Sequence, residues 1–80
     1  LQSPLLDARQ RVIGRLNQAA CLVYVERFRD ADAVLDDLCR ETLSLGFLNF
    51  HASALELRAQ AALGERDFAA ARTHIAGALA

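Results

Sequence analysis

The chain has 80 residues, of which 54% are hydrophobic and 24% charged, with one Pro and four Gly; this composition suits a single small helical domain and excludes disorder. A net charge of −1 removes the concentrated basic surface that direct nucleic-acid binding needs. Nine Arg and no Lys beside so much Ala point to the codon usage of a GC-rich, bacterial genome.

Ser3 and Pro4 open the first helix, with Ser3 as cap, Pro4 in the first turn and Asp7 favouring the dipole. The helix is expected to run to about residue 26, with Val12, Leu16, Ala19 and Val23 as its core stripe. Its last third, AACLVYV, is apolar all round, so it calls for cover on several sides or, alternatively, for a buried strand. Gly14 marks close helix packing or a break.

A turn over residues 26–30 leads to a second helix with Phe28, Ala31, Leu35 and Leu38 on one face. The other face is acidic: residues 28–46 carry five negative and two positive side chains, a pattern read as a solvated face because no Gly-centred calcium loop accompanies it. Gly46 is placed to end this helix, with Phe47 packing back on it.

The third helix is expected from Leu48 to Leu63, with a core row of Leu48, Ala52, Leu55, Ala59 and Ala62 and a polar row of Asn49, Ser53, Glu56 and Gln60. Gly64 is read as its stop and Asp67 as the cap of a fourth helix, whose apolar row is Phe68, Ala71, Ile75 and Ala78. The fold class expected is therefore all-α: two antiparallel hairpins, residues 1–46 and 47–80, in one domain of residues 1–80.

Cys21 and Cys39 lie in apolar helical runs with no C-x-x-C pair, so both are expected as buried free thiols in a reducing cytoplasm. No apolar run approaches the ~20 residues of a membrane span, and the beginning lacks a signal pattern. With no initiator Met and an ending inside an apolar helical run, the chain reads as a piece of a longer protein.

A shift of forty residues superposes Ala19 on Ala59, Leu22 on Ala62, Phe28 on Phe68, Ala31 on Ala71, Leu35 on Ile75 and Leu38 on Ala78. On this order of small and large residues, and on the run GERDFAAA from Gly64 to Ala71, the chain resembles the tetratricopeptide repeat family, well over residues 48–80 and fairly over residues 12–45. Its repeat is longer than the family's usual ~34 residues, and no Pro closes either copy. In this it is similar to the longer repeats in the helical sensor regions of large bacterial ATP-dependent transcriptional regulators.

The resemblance implies hairpins stacked as a fragment of a right-handed superhelix that recognises protein, with first helices lining a concave groove. Carried over, Asn49, Ser53, Glu56 and Gln60 face that groove and hydrogen-bond a peptide or helix; the alternative is that they are the solvated side of an amphipathic helix. The matching row of the first hairpin, Ile13, Leu16, Ala20 and Val23 with Tyr24 beside it, is apolar and needs a neighbouring repeat, a second copy or a hydrophobic partner helix.

His51 and His74 have no ligand or triad partner at a telling spacing, and no nucleophile elbow or phosphate loop occurs. No catalysis, metal or cofactor is expected. The expected work is protein interaction or scaffolding within a regulatory protein; the alternatives are a four-helix dimerisation module and a ligand-sensing segment of a transcriptional regulator.

Overall fold

The computed structural model describes residues 3–80; Leu1 and Gln2, included in the expected domain, lie outside them. The chain is all-α, with helices α1 (Pro4–Tyr24), α2 (Phe28–Leu45), α3 (Leu48–Gly64) and α4 (Phe68–Leu79), and no strand among the described residues. The Val-Tyr-Val run is therefore helical up to Tyr24, and α1 ends two residues before the expected boundary.

All three interhelical turns are built alike. A residue with left-handed backbone stands just after each helix: Glu26 at φ 63°, Gly46 at 73° and Arg66 at 61°. The next amide reaches back five residues, from Arg27 to the Leu22 carbonyl at 2.8 Å, Phe47 to Thr42 at 2.9 Å and Asp67 to Ala62 at 2.8 Å. These bonds satisfy carbonyls that a helix end would leave unpaired. Gly46 has the expected role, whereas Gly64 does not: it remains inside α3, and Arg66 adopts the left-handed conformation instead. Asp67 caps α4 as expected, its Oδ1 accepting from the Ala70 amide at 3.1 Å; Ser3 occupies the cap position of α1, but its hydroxyl makes no cap bond.

Gly64 is small for a different reason. The Phe28 ring, at the start of α2, lies against its backbone, so that a Cβ there would overlap the ring. Such contact is available only to an antiparallel neighbour, and α3 runs back along α2. The α1 helix meets α2 and α3, α2 meets α3, and α4 meets α3 alone. The arrangement is open, with α1 and α4 apart, in a flat body with Cα extents of 45 × 28 × 14 Å.

The core lies where α1, α2 and α3 converge: Val12, Ala19, Ala31, Leu35, Leu38, Cys39, Ala54 and Ala61. The face expected of α2 is thus the buried one. Of the row expected of α3, Ala59 is buried, Leu55 packs on the core and Ala52 and Ala62 are half-buried, while Leu48 is exposed; Ala54 and Ala61, outside that row, are buried as well, with Phe50 and Leu57 packed beside them. The end of α1 is also less covered than its composition demands, with Ala20, Cys21, Tyr24 and Val25 exposed, so only Cys39 of the two free thiols is buried.

The acidic side of α2 is not merely solvated. Asp37 and Glu41 hold Arg15 and Arg11 of α1 at 2.9 and 3.0 Å, and Asp32 and Asp36 hold Arg58 of α3 at 2.8 and 3.1 Å. One helix thus ties its two neighbours by charge as well as by packing. Buried Thr42 donates its hydroxyl to the Leu38 carbonyl at 2.9 Å; His51 Nδ1 lies 3.1 Å from both that hydroxyl and the Cys39 carbonyl, which requires the Nδ1–H tautomer.

Candidate functional site

The polar row of α3 is set by the faces that α3 spends on its neighbours. His51, Ala54, Arg58 and Ala61 turn towards α2, and Leu55 meets Gly77 of α4. Helical spacing leaves Asn49, Ser53, Glu56 and Gln60 on the side away from α2, and all four are exposed. Ser53 Oγ donates to the Asn49 carbonyl at 3.1 Å, which leaves its lone pairs open; among the described residues no ion pair engages Glu56.

The five apolar positions of α1 divide between two roles. Leu16 and Val23 are half-buried and pack on the core that α1 forms with α2 and α3. Ile13, Ala20 and Tyr24 are exposed, Tyr24 at 88%, and helical spacing places Leu6 in the same row. Phe50 of α3 closes the seam, stacked edge-on with Phe47 at 6.0 Å and capped by the Arg9 guanidinium 5.6 Å above its ring.

The face away from α2 therefore joins an apolar row on α1 to a row of amide, hydroxyl and carboxylate groups on α3. It offers apolar contact beside several free donors and acceptors, the mixture by which a helix or extended peptide is held in register. Its acidic side chain is Glu56, and Arg9 stands at the seam.

One concavity was not legible in the sequence. On the opposite side, where α2 and α4 diverge over α3, a cleft of about 490 Å³ is lined by Phe28, Asp32, Arg58, Glu65, Asp67 and His74, among others. Burial works against the charged Arg58, but its hydrogen bond to Asp32 and the Asp32 and Asp36 charges hold its pKa above the ordinary value. Burial, and then the Arg58 charge, push His74 below its usual range. Burial also raises the Cys39 thiol, despite the Arg58 guanidinium beside it. These shifts follow from packing and ion pairing. Among the described residues no group of three metal-ligating side chains converges, and no helix is long and apolar enough to cross a membrane.

No protein-family model matches the chain, and comparison with curated proteins and with solved structures returns no match.

Proposed function

We propose that the chain is a protein-interaction or scaffolding module of a larger regulatory protein, and that it engages its partner through the α1/α3 face. The observation that carries this reading is the side-by-side placement of an exposed apolar row and an exposed polar row on a surface that neither α2 nor α4 covers. A tetratricopeptide-like stacking of the two hairpins agrees with the contacts of α3 to both α1 and α2 and with the shared backbone of the turns. The reading assigns the domain no chemistry, and it fits a cytoplasmic bacterial protein acting in signal transduction or transcription regulation.

The test is a pair of substitutions on exposed positions, Glu56→Arg with Gln60→Ala. Partners captured from source cells are expected to be lost while the melting temperature is unchanged. Retention of the same partners with the same affinity would refute the assignment of this face.

A dimerisation module is the second reading, and the exposure of Ile13, Ala20 and Tyr24 favours it. It requires a mass that doubles with concentration and a dimer lost on Tyr24→Asp. A ligand-sensing segment would use the α2/α4 cleft, and it requires a small-molecule thermal shift that Phe28→Ala abolishes.

A further inference from the structure

The outer row of α4 repeats the row by which α2 receives α3. In α2 that row is Phe28, Asp32, Leu35 and Cys39: Phe28 lies on Gly64, Asp32 holds Arg58 at 2.8 Å, and Leu35 and Cys39 are buried. Forty residues on, after a turn of the same backbone geometry, α4 presents Phe68, Arg72, Ile75 and Leu79. Among the described residues nothing covers them: Phe68 is 60% exposed, Ile75 42% and Leu79 82%. One position differs in kind, since the acid that receives an arginine in α2 is replaced by Arg72 in α4.

We propose that this row of α4 docks one antiparallel helix of a partner polypeptide, with glycine or alanine against Phe68 and an aspartate or glutamate against Arg72. The α2/α3 contact supplies the spacing. Gly64 faces Phe28, Arg58 stands six positions earlier against Asp32, and the buried Ala61 and Ala54 stand three and ten positions before Gly64. The partner helix thus carries small residues at n, n−3 and n−10 and an acid at n−6, the charge being the inverse of that on α3.

A folded second copy of the chain does not offer this pattern: α3 carries it at Ala52, Glu56, Ala59 and Ala62, but Ala59 there is only 1% exposed. Docked in the register of α3, its α1 would bring Tyr24 to the place of Gly64 and uncharged Gln18 to the place of Arg58. Its α4 contains no acidic residue to receive Arg72.

The probe is a fluorescent peptide copying Leu48–Gly64 with Arg58→Glu, titrated against the chain by anisotropy; every peptide also carries Glu56→Gln, so that Ala52, Glu56, Ala59 and Ala62 do not present the same pattern two positions away. Saturable binding is expected, at least tenfold weaker for the peptide that keeps Arg58 and for one carrying Gly64→Leu. The variant Arg72→Glu should reverse the preference between the glutamate and arginine peptides, and Phe68→Ala should weaken both. These positions are exposed, so circular dichroism should report an unchanged fold. Glu56→Arg, on the α1/α3 face, should leave peptide binding as it was, which separates this docking site from that one. No saturable binding, or an affinity indifferent to Phe68 and Arg72, would overturn the proposal. So would a concentration-dependent dimer abolished by Leu79→Asp, which would give the row to a second copy.

Discussion

The Phe28 ring rests on the backbone of Gly64, thirty-six residues away, at the point where α2 begins and α3 ends. The contact joins the two hairpins and explains why a residue without a Cβ stands in the last position of α3.

The first prediction follows from that contact. Gly64→Ala should destabilise the domain by about 1–3 kcal/mol, the usual cost of overpacking, and lower its melting temperature by roughly 4–8 °C per kcal/mol. In a Phe28→Ala background the same change should become neutral or stabilising, because alanine is then only a better helix former. Denaturant midpoints of the four proteins in the cycle would measure the coupling, and additive effects would refute the contact.

Gly14 offers the contrast. A Cβ there would meet nothing within 4 Å, so the expected packing role or break is absent and the residue is a plain weakness of α1. Gly14→Ala should raise stability by about 0.5–1 kcal/mol, read from the shift in urea midpoint at unchanged slope.

The turns predict a gain in the opposite chemical direction. Glu26 and Arg66 hold left-handed backbone at a cost of about 1–2 kcal/mol each, part of which glycine would return in lost unfolded-state restriction. Glu26→Gly and Arg66→Gly should each stabilise by about 0.5–1 kcal/mol in thermal unfolding, whereas Gly46→Ala should destabilise by at least as much.

A pH dependence follows from His74. Burial and Arg58 lower its folded pKa beneath the ordinary 6.5, while Asp32, Asp67 and Asp36 act more weakly in the other direction. The unfolded chain therefore binds more protons in the window from 6.5 down to the lowered value, and stability rises with pH across it. Loss as the pH falls through that window should be smaller in His74→Gln. Asp37, held below 3.8 chiefly by its hydrogen bond to Arg15, adds a separate loss at more acid pH. Unfolding free energies between pH 3 and 8 would check both, and a His74→Gln curve parallel to that of the wild type would contradict the first.

The four helices were legible because apolar residues recur at helical spacing and because Gly46 and Asp67 punctuate the chain. The left-handed residues Glu26 and Arg66 were not, since neither side chain favours that backbone and the turn is fixed by its carbonyl bonds. In α3, alanine stands on several faces at once, so periodicity picked out Ala59 but not Ala54 and Ala61, which are buried on a different face of the same helix. The acids of α2 look solvated in the sequence because Arg15 and Arg58, which hold them, lie on other helices, 22 residues from Asp37 and 26 from Asp32. The polar row of the candidate face is exposed as a row, whereas Leu16 and Val23 pack on the core shared with α2 and α3, neighbours that helix one's own pattern does not name. Phe68 and Ile75 show the converse: their spacing marks a face fit to be buried, and only the folded chain shows that both are exposed.

The central claim, that the α1/α3 face holds a protein partner, is tested most directly by photocrosslinking in source cells, with a benzophenone side chain placed at Ser53 and, in a second protein, at Ser44 on α2. The account predicts a discrete adduct from position 53 that disappears on Glu56→Arg, and none from position 44. Equal adducts from both positions, or an adduct at 53 that survives Glu56→Arg and Gln60→Ala, would contradict it.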